Sequence, residues 1–321
     1  MHKILNITNG DSAVAIMQQA NIPGAFLPWR DVLHEGPVPA GLSLKELSEV
    51  RAKFITDRGW GTPENIKRAF VDRDNTLLSF EKYEKIMLWF EHDLYDQLQL
   101  LQVLDWFAQN RTIETTLSII CVDRYLGTLT PKEMVTLFRY EEPVTERHFE
   151  LSSRAWSAFR SDSPQKWCDL LISDTTALPF LEGAIIRTIE EYPNCANGLS
   201  RTAHQALSII SKGEKRPGRV FGEYQKSEER KFLGDSSFWS ILHEFLDSSP
   251  ALLKLPEGKT LTLPTSPDQE LTITPAGKDV LSGDRNWLDI VEIDRWIGGV
   301  HLTPDNVWCR DSGSGTIAKR T

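Results

Sequence analysis

Residues 88–102 read LWFEHDLYDQLQLLQ. The opening apolar residues complete a run over 85–90, KIMLWF, which reads as a buried strand. Leu94, Leu98 and Leu101 then recur at helical spacing, so 94–110 reads as a helix facing a core. Glu91, His92, Asp93 and Asp96 lie at the junction. A strand leading straight into a helix is part of a βαβ unit. In an open parallel sheet the ligand site lies outside the carboxyl ends of the strands. The four ionisable groups therefore sit where such a fold places function.

The same alternation extends to either side. KILNITNG (3–10) reads as a strand and DSAVAIMQQANIPG (11–24) as a helix, with Asp11 or Ser12 available to cap it. AFLPW (25–29) is a second strand, 42–61 an amphipathic helix, 68–83 a further helix and TTLSIICV (115–122) another buried strand. Strands alternating with helices predict a Rossmann-like α/β domain over 1–125, with a parallel sheet covered on both faces. The pattern over 131–192 is helical throughout, which makes 126–195 a helical linker region. Three helical stretches follow at 200–211, 216–230 and 235–249. Two strand-like pieces (251–258 and 270–277) come next, joined by a Pro-rich turn, and a helix resumes at 274–283. Three helices plus a hairpin outline a winged-helix-like α+β domain over 196–310. Residues 311–321 read as a flexible tail.

Composition narrows the function classes. The chain has 321 residues, a net charge of −9 and no run of apolar residues long enough to span a bilayer. Its start lacks the basic and apolar segments of a signal peptide. Four separated cysteines without a C-x-x-C pair suit reduced thiols and a cytoplasmic protein, and give no zinc motif. Residues 196–321 carry 16 Lys and Arg against 17 Asp and Glu, leaving 20 against 28 for the first 195. The acidity belongs to the first domain and argues against a free-standing nucleic-acid binder. The third-helix candidate, DSSFWSILHEFLDSS, has no Arg or Lys to place on phosphates, which favours a protein partner over DNA.

Each early strand ends in polar residues. The first gives Asn9, Gly10, Asp11 and Ser12, and the second gives Arg30, Asp31, His34 and Glu35. The strand at 85–90 gives Glu91, His92 and Asp93, and the one at 115–122 gives Asp123 and Arg124. Neighbouring parallel strands would bring these to one rim. Asp93 and Asp96 read equally well as a helix cap and a first-turn acid.

Three chemistries can use the set. In serine hydrolysis Ser12 would attack, His34 would take its proton and Asp31 would orient the imidazole. Such a GDS start resembles GDS-type esterases, in which the Asp-x-x-His pair lies near the C-terminus rather than directly downstream as here. In metal-assisted hydrolysis or phosphoryl transfer, Asp11, Glu91, His92, Asp93 and Asp123 would offer ligands to a divalent metal. In phosphate or nucleotide binding, the NGDS backbone would meet the anion at a helix N-terminus, with Arg30 and Arg124 offsetting the carboxylates. No dinucleotide or P-loop fingerprint is present. The expectation is a pocket for a small polar or phosphorylated ligand, with His92, His34, Asp31 and Ser12 as catalytic candidates. Asn9, Gly10, Asp11, Arg30, Glu91, Asp93 and Arg124 are the binding candidates. The competing class is a regulator or interaction module acting through the second domain.

NWLDIVEIDRWIGGVHL (286–302) reads as a helix with an Asp294–Arg295 pair that packs its tryptophans, followed by a Gly-Gly turn into a strand. A second reading carries Arg295 or His301 to the first domain's rim.

NGDSA, WRDVLHEGPVP, LSEVRA and LWFEHDLYDQLQLLQ together resemble the bacterial family catalogued as domain of unknown function 1835. NGLSRT, GDSSFW and IDRWIGGVHL are similar to the C-terminal region that often accompanies it. The resemblance implies an α/β N-terminal domain and assigns no catalytic residue.

Overall fold

The computed structural model describes residues 3–263, 265–266 and 268–320. Pro264 and Pro267 of the expected Pro-rich turn lie outside the described residues. The chain divides into two compact units. The first is Met1–Ile185 with Trp296–Val300, and the second is Ile186–Arg295 with His301–Thr321.

The first unit opens with β1 (Ile4–Thr8), α1 (Asp11–Gln19), β2 (Ala25–Pro28), α2 (Leu44–Asp57) and α3 (Pro63–Leu78). It continues with β3 (Lys85–Glu91), α4 (Leu94–Asn110), β4 (Thr116–Val122), α5 (Pro131–Thr136) and β5 (Glu142–Pro143). Then come α6 (Glu146–Phe159), the single turn α7 (Gln165–Cys168) and α8 (Leu181–Ile189), whose residues from Ile186 onward belong to the second unit. The sheet runs in the order β2-β1-β3-β4-β5. β1 pairs in parallel with both β2 and β3, and β3 with β4, as the βαβ alternation predicts. The exception is β5, two residues that pair antiparallel with β4 through Ser118↔Pro143 and Ile119↔Glu142. The expected all-helical stretch over 131–192 is thus interrupted by an edge strand.

Ile86, Met87, Leu88, Trp89 and Phe90 are all buried, because helices cover both sheet faces. Met87, Trp89, Ile120 and Val122 pack with Ala13 and Met17 of α1 and Met134 of α5 on one face. Helix starts are set by local chemistry. Ser43 and Glu46 form a reciprocal capping box before α2. Thr62 caps α3 with Pro63 in its first turn, so that helix starts ahead of the expected residue 68.

The second unit contains α9 (Arg201–Ser211), α10 (Pro217–Ser227) and α11 (Asp235–Asp247), then β6 (Leu253–Lys254) and β7 (Thr272–Ile273). β6 and β7 pair antiparallel, Leu253 opposite Ile273. Three helices followed by a two-stranded antiparallel ribbon match the element order expected from sequence. Phe238, Trp239, Leu242 and Phe245 of α11 are buried. The Arg187 guanidinium is buried between Glu191 (2.7 Å) and Glu228 (2.8 Å) and also donates to Thr202. α12 (Pro275–Ser282) follows, capped by Thr274 and closed by Gly283 at φ 86°.

Two C-terminal expectations are corrected. Residues 286–302 form a short helical turn at Trp287–Asp289 and then β8 (Arg295–Ile297) and β9 (Val300–Leu302), in place of a long helix. Asp294 and Arg295 do not pair: Arg295 donates to Glu191 at 2.9 Å and Asp294 meets His301 at 2.6 Å. Gly298, at φ 59°, and Gly299 press against α6, where a Cβ on Gly299 would sit 2.0 Å from the Arg160 carbonyl oxygen. The expected flexible tail holds β11 (Ile317–Lys319), paired antiparallel with β10 (Trp308–Arg310). No helix among the described residues is long and apolar enough to cross a membrane.

Candidate functional site

The order β2-β1-β3-β4 places the chain reversal between β1 and β3. That is the switch point, where the loops leaving the two strands diverge and open a crevice. Thr8 stands opposite Trp89 in the parallel register, so the next residues outward, Asn9 and then Glu91, overhang the same strand ends. Trp89 Nε1 donates to Asn6 Oδ1 (3.0 Å), and Asn6 Nδ2 donates to the Pro23 and Ala25 carbonyls. These bonds, all through the buried Asn6, tie β1, β2 and β3 together behind the strand ends.

β3 ends on Glu91 and α4 begins two residues beyond, with Asp93 as its N-cap. Asp93 accepts from the Asp96 backbone N–H at 3.2 Å, which turns Asp96 back toward the strand. There Asp96 Oδ1 accepts from the Glu91 N–H (2.7 Å) and Oδ2 accepts from Asn9 Nδ2 (2.9 Å). Asn9 Nδ2 also donates to Glu91 Oε1 (2.8 Å), and the Leu126 N–H reaches the same oxygen at 2.7 Å. Tyr95 donates its hydroxyl to the Asn9 carbonyl (3.3 Å), and Gln97 holds the Glu91 carbonyl (2.7 Å). Glu91, Asp93 and Asp96 each offer a carboxylate oxygen, and these oxygens all lie within 4.8 Å of one another. All three residues are buried, at 4%, 2% and 1% exposure.

Burial dominates the electrostatics. It pushes Glu91 up to about 7, against the pull of the Leu126 and Asn9 hydrogen bonds. It pushes Asp93 up to about 8, helped by the charge of Glu91. Asp96 is raised well above its ordinary value by burial and by both neighbours. Neutral donors, Asn9 and the backbone N–H groups of Leu126 and Glu91, and the positive end of α4 face the three carboxylates. At neutral pH such a group must hold protons or a cation.

The triad is a donor set of hard oxygens on two adjacent elements, which suits Mg²⁺ or Mn²⁺ and not a soft metal. It is the one group of three or more ligating side chains that converges among the described residues. A bound cation would offset the burial that raises all three carboxyls and the repulsion that adds to it at Asp93 and Asp96.

Other sequence candidates fall outside this group. Asp31 is fully buried, but its Oδ1 accepts from Arg51 Nε at 2.9 Å, and Arg51 also donates to the Glu35 and Val32 carbonyls. Asp31 therefore anchors a loop-fastening arginine. His34 lies 3.3 Å from Glu35 and packs edge-on to Tyr95. Ser12 is exposed in the first turn of α1, whose N-cap is Gly10, so Ser12 does not cap that helix. Asp11 and Arg30 pair with each other through two bonds of 2.6 and 2.7 Å. Arg124 pairs with Glu133 at 2.6 Å. Both arginines are thus engaged by carboxylates. His92 is buried, its ring 5.1 Å from Tyr125 and 5.9 Å from Phe180.

Sequence reasoning placed Asp96 among the four junction groups and read it equally well as a first-turn acid; the fold makes it a member of the triad. Its position carried a signal. A capping box needs Glu or Gln at the third helical residue to reach back to the cap. The shorter Asp at that position bonds the strand end instead. No protein-family model matches the chain, and no curated protein matches it.

Proposed function

We propose that the first unit binds a divalent cation on Glu91, Asp93 and Asp96, and through it a small polar or phosphorylated ligand in the crevice at the β1–β3 switch point. The observation that carries this reading is the burial of three carboxylates whose oxygens converge within 4.8 Å of one another. A bound divalent cation supplies Lewis-acid polarisation of a ligand oxygen there, which extends the reading to hydrolysis. Asn9 orients two of the three carboxylates, and the Leu126 N–H also holds Glu91. His92, next to the triad in the chain, is the candidate for exchanging a proton with such a ligand.

The test is calorimetric titration of the purified protein with Mg²⁺ and with Mn²⁺ after EDTA treatment. One site per chain is expected, absent in Asp96→Asn. No heat from either metal at millimolar concentration, with the protein folded, ends the proposal. A screen of nucleotides and sugar phosphates by thermal shift follows. Binding at about 100 times Kd adds about 2.7 kcal/mol to the folded state.

A second reading rests on the winged-helix-like arrangement of the second unit. Its third helix, α11, has no Lys or Arg, so the surface it offers suits a protein partner better than DNA. A salt-dependent mobility shift of duplex DNA would favour DNA instead.

A further inference from the structure

The second unit contains a feature independent of the carboxylate triad. Cys195 follows α8 and is exposed, whereas Cys309 lies in β10 and is buried. The chain brings them together by backbone pairing. The Cys195 N–H donates to the Arg310 carbonyl (2.9 Å), and the Arg310 N–H donates to the Pro193 carbonyl (2.7 Å). Asn194 and Arg310 thereby form a parallel bridge, and Asn286 Nδ2 holds the Cys195 carbonyl from the other side (3.0 Å). This pairing sets Cys195 beside the strand that carries Cys309, and the Cys195 side chain acts on the Cys309 thiol. The other two cysteines, Cys121 and Cys168, lie in the first unit, on β4 and α7.

We infer that Cys195 and Cys309 form a reversible disulfide that fastens the C-terminal β10–β11 hairpin to the segment after α8. The oxidant required is a peroxide. The exposed Cys195 sulfur attacks one peroxide oxygen and becomes a sulfenic acid as the O–O bond breaks, releasing water. The Cys309 sulfur then attacks Cys195, the S–O bond breaks, and a second water carries away the thiol proton. Two thiols and one hydrogen peroxide give one disulfide and two waters. Burial, with Cys195 beside it, pushes the Cys309 thiol up to about 11. Cys309 therefore suits the second step, in which it meets a sulfur already beside it, and not the first, in which a thiolate must meet oxidant from solvent. The loop so closed is on the order of a hundred residues, a length at which a cross-link strongly restricts the unfolded chain.

The test treats the full-length protein with hydrogen peroxide, blocks remaining thiols, digests with trypsin without reduction and maps peptides by mass. The expected product joins the peptide ending at Arg201 to the one ending at Arg310. Its mass is lower by two hydrogens than the sum of the two, and it is lost on adding dithiothreitol. Cys121 and Cys168 should remain alkylated. Cys309→Ser should leave Cys195 as a sulfenic acid that dimedone traps, and trypsin should cut at Lys319 more slowly in the oxidised wild type than in Cys195→Ser. The inference is overturned if Cys195 is oxidised beyond the sulfenic acid while Cys309 stays alkylated. It is equally overturned if cross-links join cysteines at random.

Discussion

Replacing Glu91 by Gln isolates the electrostatic load of the triad. Glu91 Oε1 accepts from Asn9 and from the Leu126 N–H, and Gln keeps an oxygen at that position. The second carboxylate oxygen becomes an amide donor facing Asp93 and Asp96. Burial raises the Glu91 carboxyl from 4.5 to about 7, so the folded protein holds this proton more tightly than the unfolded chain. For such a group the stability is fully present below about 4.5 and is lost as pH rises through about 7. The complete loss is about 3 kcal/mol, at 1.36 kcal/mol for each tenfold change in proton affinity. For a unit of this size that corresponds to about 6–12 °C in Tm. Calorimetric melts in EDTA at about pH 4 and about pH 8.5 are the assay. The variant should match wild type at the lower pH and exceed it by about 3 kcal/mol at the higher. Asp93 should then titrate lower in the variant, since the Glu91 charge is part of what raises it. Mn²⁺ should restore wild type at high pH and leave the variant unmoved. A variant no more stable than wild type at high pH would show that the carboxylate is comfortable when ionised, and the reasoning fails.

Other outcomes follow from neighbouring features. Asn9→Ala removes two donors to buried carboxylates and should cost about 1–3 kcal/mol in urea unfolding. Arg51→Met removes the hydrogen-bonded partner of the fully buried Asp31, leaving Arg73 at 3.8 Å, and should cost up to about 3–5 kcal/mol, much of it recovered by adding Asp31→Asn. If Asp31 served catalysis instead, the double variant would be stable and inactive. In the second unit, burial would raise Glu191, but Arg187 and Arg295 outweigh it and hold the carboxyl at about 2. That stability is present above about 4.5 and is lost as pH falls through about 2, so acid titration by far-UV circular dichroism should show Arg187→Leu unfolding at higher pH than wild type. Gly299→Ala should unfold or strongly destabilise the first unit, because its Cβ would meet the Arg160 carbonyl, whereas Gly234→Ala meets nothing and should melt within a degree or two of wild type.

The α/β class was legible because long elements declare their period. The apolar run at 85–90 and the leucine spacing after it specify β3 and α4 with nothing else consulted. Asp93, read as a cap from its place before the leucine run, does cap α4. Short elements were not legible. β5 has two residues, one of them proline, and no period to detect. Trp287 and Trp296 mimic a helical face, but the chain between them is a turn and an extended stretch, set by close approach of Gly298 and Gly299 to α6. The site was half legible. Glu91 and Asp93 stood out at a strand end, and their convergence with Asn9 depends on the β1–β3 register, a contact 82 residues apart. The Asp31–His34 pair looked catalytic by spacing, yet its acid was claimed by Arg51 from another helix.

The sheet's two outermost strands each carry a proline, Pro28 in β2 and Pro143 in β5. Proline has no N–H to offer a further strand, and β5 is too short and too charged to template one. A row of open backbone groups on an apolar parallel sheet is the usual nucleus for edge-to-edge aggregation. Here both rows are blunted, so the five-stranded sheet is closed to growth without being closed into a barrel. Copies of this chain at high concentration should resist fibre formation through this sheet, and Pro143→Val is the change that would reopen the β5 edge.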